Sequence, residues 1–272
     1  MSRPILSILI PAYEYPEGVI AILNQLQCLP KQLFEILIFD DSDNDGVKDC
    51  INNFLQKTNL QIKYKNNNKK TGPVNNWNEL LREAKGKYLW LIHHDEIPNI
   101  KSWVELERNL IQGLATNIKI FHLNVICKDN KSHVWNHCKF FYKKKFIFNP
   151  SILVKANFIG PTAAVIVRNE FVPEFNKEFI WLVDVDWYLN LFSTINEISQ
   201  GFISEEILSI TSTVNRIESI TQKIKKNRDH FYANESKIIT EKYKLNRIQI
   251  KFKLLIFVWK KIRQFQKIKS EK

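Results

Sequence analysis

Cysteine and glycine are scarce in this chain, with 4 and 7 occurrences in 272 residues. The four cysteines, Cys28, Cys50, Cys127 and Cys138, lack CxxC spacing and are too few to staple a chain this long, which excludes a disulfide scaffold. They are expected to be free, mostly buried thiols. So few glycines, with only 9 prolines, exclude a collagen-like or low-complexity polymer. No glycine-rich phosphate loop accompanies the first strand-like run, which counts against a nucleotidyltransferase. Long hydrophobic runs are also missing: residues 254–259 and 5–10 fall far short of the roughly 20 residues that a bilayer-spanning helix needs. Met1-Ser2-Arg3-Pro4 leads straight into a strand-like run with no small-residue cleavage signature, so no secretory signal is expected and the chain is placed in the cytosol. Zinc-finger spacing, a recognition-helix signature and RNA-binding aromatic motifs are absent, which argues against a nucleic-acid partner.

What remains is ordinary globular material. Apolar residues make up 44% and charged residues 25%, enough for one large α/β unit with a sizeable core. Lys and Arg total 40 against 28 acidic residues, a formal charge of +12 that favours a polyanionic partner: phosphorylated substrate or anionic membrane.

Periodicity then organises the first hundred residues. Residues 5–10 read as a strand that Pro11 should end by withdrawing a donor. Helices are expected over 17–26, 47–57 and 75–85, the last closed by Gly86, and further strands over 34–39, 60–64 and 88–92. Strands alternating with helices at this spacing predict a mostly parallel, Rossmann-like central sheet flanked by helices, with ligands gathering outside the carboxyl ends of its strands. Polar residues stand at those ends: Tyr13, then Asp40 and Asp41, then residues 66–70, then His93-His94-Asp95-Glu96. Asp43 and Asp45 read as turn and cap residues. Asp41 and Asp95 each end a buried-type strand, and neighbouring carboxylates share a pocket only if a cation or donors offset their repulsion. Mg2+ or Mn2+ would do so, with Asp95 as the metal-ligand candidate. Cys127, His133, His137 and Cys138 superficially resemble a zinc site, but the Lys-Asp-Asn-Lys-Ser stretch among them reads as a hairpin loop.

Five stretches carry a resemblance in order: Ser7-Ile8-Leu9-Ile10-Pro11-Ala12-Tyr13, Ile38-Phe39-Asp40-Asp41-Ser42, Gly72-Pro73-Val74-Asn75-Asn76-Trp77-Asn78, Ala84-Lys85-Gly86-Lys87-Tyr88 and Leu91-Ile92-His93-His94-Asp95-Glu96. On these the chain resembles family-two GT-A glycosyltransferases, inverting enzymes that use nucleotide-diphosphate sugars. The resemblance implies a GT-A fold, a UDP- or GDP-linked donor, and a nucleoside held by Pro11, Ala12, Tyr13 and one of Asp40 or Asp41, with Asp41 the first choice. The family's Asp-x-Asp motif falls on His93-His94-Asp95, so a histidine replaces the first acid and Asp95 keeps the metal-facing place. His94 and Glu96 either line the pocket or flank it. Further on, residues 157–168 are similar to the family's acceptor-side segment, and Val183-Asp184 stands where the family has Glu-Asp. The catalytic base is then Asp184, with Asp186 as the alternative: on a strand the two would share a face, at a helix start they would not. Arg216, in a stretch similar to the family's late Arg-x-His segment, is the candidate for the diphosphate or else for a surface salt bridge. This divides the chain into a nucleotide-sugar half, 1–100, an acceptor half of the same domain, 101–222, and a basic helical extension, 223–272.

From residue 242 onward aromatic, aliphatic and basic residues mix, which suits an amphipathic helix in the headgroup region of an anionic membrane or, alternatively, a terminal helix packed on its own domain. Together with the resemblance, this predicts an enzyme peripherally attached to the inner face of the cell membrane. Its acceptor is expected to be a saccharide, lipid-linked, in surface polysaccharide assembly of the O-antigen, capsule or lipopolysaccharide kind. The competing reading is a noncatalytic sugar-nucleotide or membrane-binding protein on the same scaffold.

Overall fold

Residues 6–12 are apolar at nearly every position, the pattern of a strand covered on both faces. In the computed structural model, which describes residues 3–28, 33–67, 70–129, 131–147, 149–213, 225–245 and 250–270, they form β1 (Leu6–Ala12), buried throughout. The alternation expected from periodicity follows: α1 (Pro16–Leu26), β2 (Phe34–Asp40), α2 (Gly46–Leu55), β3 (Ile62–Asn66), α3 (Pro73–Glu83) and β4 (Tyr88–Leu91). Next come β5 (Glu96–Ile100), α4 (Trp103–Ala115), β6 (Ile120–His122), β7 (Asn124–Lys128), β8 (Val134–Asn136), α5 (Phe140–Ile147) and β9 (Val165–Arg168). The chain continues through α6 (Val183–Thr194), β10 (Gln200–Phe202), β11 (Leu208–Thr213), α7 (Arg228–Lys242) and α8 (Ile250–Ser270).

The main sheet has the order β10-β6-β9-β4-β1-β2-β3. Its β4, β1, β2 and β3 run parallel, while β9 is antiparallel to both β4 and β6. A second sheet, β5-β11-β7-β8, contains the hairpin expected around residues 128–132. Register brings Ala12, Asp40 and Asn66 side by side, so the carboxyl ends of the first three strands share one edge. Ile92 donates to Leu9 O at 2.9 Å and brings the end of β4 alongside.

Pro11 does not end the ladder as expected; β1 pairs with β2 through Ala12. The reason is parity. Leu9 turns its carbonyl to β4, and Pro11, two residues on, faces the same side beyond the last β4 residue, so its missing donor breaks no rung. Helix α1 closes one face by burying Val19, Ile22, Leu23 and Leu26, each contributing about 1.5–3 kcal/mol of transfer free energy.

One core group is costly. Lys143 of α5 is fully buried, and its Nζ donates to Leu123 O (2.9 Å) and Ile159 O (3.1 Å). Burial pushes its pKa from 10.5 down to about 8. Between those values the unfolded chain holds the proton and the folded chain does not, so stability from this group rises with pH, in full by on the order of 3 kcal/mol. Lys143→Met should flatten that rise relative to the wild type, measured as urea unfolding free energies at about pH 7 and about pH 10; equal slopes in the two proteins would refute it.

Candidate active site

The acids at the strand ends divide by what they hold. Asp40 is fully buried: its Oδ1 accepts from Ser42 N (3.0 Å) and from the Ser42 hydroxyl (2.5 Å), and its Oδ2 from Tyr64 OH (2.8 Å) and Asn66 Nδ2 (3.5 Å). Asp41 Oδ1 accepts from Thr71 N (2.8 Å), Thr71 Oγ1 (3.1 Å) and Asn67 Nδ2 (3.2 Å), while Oδ2 takes Gly72 N (2.8 Å). Gly72 adopts φ +83, a region where a side chain is strained, and Pro73 then starts α3. The Gly-Pro pair thus points a backbone N–H at Asp41 just before the helix.

Helix α3 is tied to its surroundings by two buried asparagines. Asn76 Nδ2 donates to Phe39 O (2.9 Å); Asn78 exchanges two hydrogen bonds with the Phe175 backbone, at 2.9 and 2.8 Å. Between them Trp77 stacks on the His93 ring (centroids 4.7 Å) and meets Phe175 edge-on (5.1 Å), and Phe175 stacks on Trp187 (5.0 Å). An aromatic row therefore runs from α6 to the end of β4.

At the end of β4, His93, Asp95 and Glu96 each place one ligand atom within 4.8 Å of the others. Glu96 is buried, and its Oε2 accepts from His93 N at 3.0 Å. Burial first, then the charges of Asp95 and Asp184, pushes the Glu96 carboxyl well above the usual range. Burial also lowers His93 to about 3, leaving a neutral ring whose buried Nε2 has no hydrogen-bond partner among the described residues. A hard divalent cation fits this donor set: two acids that repel each other and a neutral imidazole, with an orphaned nitrogen beside them. Glu96 thus lines the cluster, while His94 flanks it with its ring edge-on to Tyr15 (5.5 Å). Tyr13, the nucleoside candidate, has its hydroxyl 2.7 Å from Lys70 Nζ, which also lies over the ring. Pro11 and Ala12 are buried beside it at the end of β1.

Asp184 and Asp186 lie on the first turn of α6. Two residues along a helix turn through about 200°, so the side chains part. Asp184 is partly buried and raised to about 6 by that burial; it influences both Glu96 and the buried Tyr188, whose hydroxyl donates to Pro161 O (2.7 Å). Asp186 turns away to Lys242 Nζ (2.8 Å) and Tyr243 OH (3.0 Å). Asp184 thus lies within electrostatic reach of Glu96, while Asp186 is held in an ion pair with Lys242.

Arg216 lies outside the described residues. The zinc-like cluster does not assemble among the described residues: Cys127 Sγ lies 3.9 Å from His137 Nδ1, but His137 Nε2 binds Asn157 O at 2.8 Å and His133 Nδ1 turns to Asp129 Oδ2 at 3.1 Å. All four cysteines are free; Cys127 and Cys138 are buried, Cys50 is half-buried and Cys28 exposed, so burial is less general than expected. Sequence reasoning assigned nothing to Trp77 or Tyr188, although Trp77 lies inside a matching stretch. An aromatic residue on an amphipathic helix reads as core until its neighbours are known.

The chain is similar to known proteins in sequence and in fold. Residues 7–172 match the profile of Glycosyl transferase family 2. Over 207 residues the chain is 25% identical to the UDP-Glc:alpha-D-GlcNAc-diphosphoundecaprenol beta-1,3-glucosyltransferase WfgD of Escherichia coli, covering 75% of this chain and 76% of that protein. It is 27% identical over 95 residues to the poly(ribitol-phosphate) beta-N-acetylglucosaminyltransferase TarS of Staphylococcus aureus, covering 34% of this chain and only 16% of TarS. The crystal structure of TarS 1-349 in complex with UDP-GlcNAc aligns with a TM-score of 0.58 at 16% identity, over 79% of this chain and 60% of that one. The mannosyltransferase PcManGT of Pyrobaculum calidifontis, in complex with GDP-Man and Mn2+, aligns with a TM-score of 0.60 at 12% identity, over 87% of this chain and 65% of that one. At such identities the structural likeness establishes the shared α/β architecture, the GT-A fold. With more than half of its residues, 7–172, matched to the profile, the chain belongs to glycosyl transferase family 2.

Proposed function

We propose that the chain is an inverting glycosyltransferase that moves a sugar from a UDP- or GDP-linked donor to a hydroxyl of a lipid-linked saccharide at the cytosolic face of a membrane. The observation that carries the reading is that Asp184, at the start of α6, lies within electrostatic reach of buried Glu96, whose carboxyl is raised first by burial and then by the charges of Asp95 and Asp184. Separated parts of the chain thus bring acids to one edge of the sheet.

The nucleoside lies along Pro11, Ala12 and Tyr13 in this reading. Asp41 is the better of the two nucleoside acids, because its Oδ2 has a single donor, Gly72 N, and keeps a lone pair for a base N–H; both Asp40 oxygens carry two. Asp95 and Glu96, with His93 beside them, hold a divalent cation such as Mn2+ or Mg2+. When bound, that cation supplies positive charge to the diphosphate. Asp184 accepts the proton of the acceptor hydroxyl as its oxygen bonds to the anomeric carbon; the bond from that carbon to the diphosphate breaks, and the electron pair leaves with the nucleotide. Asp184 must be ionised to act, and its value near 6 keeps it so at neutral pH yet basic enough to take a proton.

Helix α8 supports the membrane side of the reading. Ile256 and Trp259 pack inward, with Trp259 Nε1 donating to His137 O (3.0 Å), while Leu254, Phe257, Val258 and Phe265 are exposed among Lys253, Lys260 and Lys261. Positions 254, 258, 261 and 265 lie along one helical face. No helix among the described residues is long and apolar enough to cross a membrane. An apolar strip carrying Lys261, with Lys253 and Lys260 along one edge, suits insertion among anionic headgroups, and WfgD is named for an acceptor that carries a diphosphoundecaprenol lipid.

Three outcomes test this. Asp95→Ala should abolish Mn2+-dependent release of UDP or GDP from nucleotide sugars and weaken the Mn2+-dependent thermal shift given by UDP or GDP; unchanged values remove Asp95 from the site. Asp184→Asn should bind donor normally and lose at least about a thousandfold in kcat, whereas the wild type should gain activity as pH rises through about 6; full turnover of the variant refutes the base. Leu254→Ser with Phe257→Ser should weaken association with phosphatidylglycerol vesicles by about tenfold or more, read by co-sedimentation, and equal binding would show that another surface docks.

A further inference from the structure

The segment that delivers Asp184 has little structure of its own. Between residues 173 and 182 the chain forms neither helix nor strand, and α6 begins only at Val183. A side chain on the first turn is placed no better than the backbone that leads into it. Here that backbone is held from outside. Glu235 of α7, only 5% exposed, accepts Ile180 N at 2.9 Å on Oε1 and Leu182 N at 2.6 Å on Oε2, and Trp181 N on both oxygens at 3.2 and 3.0 Å. One carboxylate thus takes three successive amides immediately before the helix, in the place where α6 itself has no side-chain cap.

A second anchor lies seven residues further along α7. Lys242 Nζ bonds Asp186 Oδ1 at 2.8 Å, and the next residue, Tyr243, donates to Asp186 Oδ1 at 3.0 Å and to Asp186 O at 3.1 Å. Positions 235, 239 and 242 make one stripe of a helix, and Ile239 between the two anchors is fully buried. Tyr232 OH, donating to Val154 O at 2.9 Å, seats the start of the helix. The two anchors grip the chain before and after Asp184, the residue whose charge reaches Glu96.

We infer that α7 is a clamp that sets the position of the proposed base, with Glu235 a positioning residue acting through Asp184 and Lys242 its second anchor. The inference rests on the reading of Asp184 as base. It accounts for two features at once: a buried carboxylate given wholly to backbone amides, and an acid two residues from the base given wholly to structure. Asp186 is therefore the fixed partner of the pair.

The test is a double-mutant cycle on the full chain, with UDP-glucose, UDP-N-acetylglucosamine and GDP-mannose as donors, water as acceptor, and nucleotide release as the signal. Glu235→Ala should lower kcat by about tenfold or more while the donor KM stays within about twofold, because the base is displaced and the donor site is not. Glu235→Gln, which keeps one acceptor oxygen, should recover part of the loss. In the Asp184→Asn background Glu235→Ala should cost less than about twofold more, since a residue acting through the base has nothing left to position. Hydrogen exchange at amides 180–182 should quicken in Glu235→Ala, and an unchanged UDP thermal shift would show that the variant folds. Wild-type kcat in Glu235→Ala beside an inactive Asp184→Asn overturns the clamp and spares the base. Multiplicative losses in the double variant also overturn it, since they mark a purely structural role. Full turnover by Asp184→Asn removes the base and the clamp with it.

Discussion

Like charges in a confined space set the terms for this molecule. Asp95, Glu96 and Asp184 come from the end of β4 and the start of α6, and burial first, then the charges of its two neighbours, push the Glu96 carboxyl well above the usual range. Such a cluster persists only if the scaffold enforces it more strongly than the acids resist it. The enforcement is visible. Trp77 covers His93, Phe175 and Trp187 continue the wall to α6, and two fully bonded asparagines on α3 prevent the wall from sliding. Apolar burial drives the assembly, and the buried amides fix its register.

The same logic separates acids that act from acids that build. Asp40, Asp186 and Glu235 are as buried as Glu96, yet each is met by N–H, O–H or ammonium donors. A buried carboxylate with its donors in place is structural material. Glu96 differs in its neighbours: the His93 and Ala163 amides lower its pKa but are outweighed by burial and the adjacent acids. That imbalance, more than burial itself, singles out the site.

How much of this could be read beforehand follows from the range of the forces involved. The alternation from β1 to β4 was legible because each element is written in local periodicity, and the strand-end acids followed from it. Pro11 was misjudged because its effect depends on where β4 stops, eighty residues later in the chain. Asp184 and Asp186 stayed open as a pair because nothing local decides between strand and helix start at that point; α6 resolves them. Glu235 left no trace in motif or spacing. Its partners are amides more than fifty residues away, and a glutamate on a charged helix reads as surface until tertiary packing buries it.

Family-level departures acquire a physical sense from these contacts. The resemblance puts Val183 at the place of the family's glutamate, and it is a buried residue at the first position of α6. A carboxylate at that position would add negative charge beside Asp184. Here the charge at the helix entry is supplied instead by Glu235, one chain segment removed and spent on three amides. Burial alone is left to set the basicity of Asp184, with no fixed charge among its causes. Replacing His93 by an acid would in the same way add a fourth carboxylate to a group that already suppresses the ionisation of one member. In this reading both departures withhold negative charge, one next to Asp184 in sequence and one beside Glu96, whose carboxyl burial and two acids already raise.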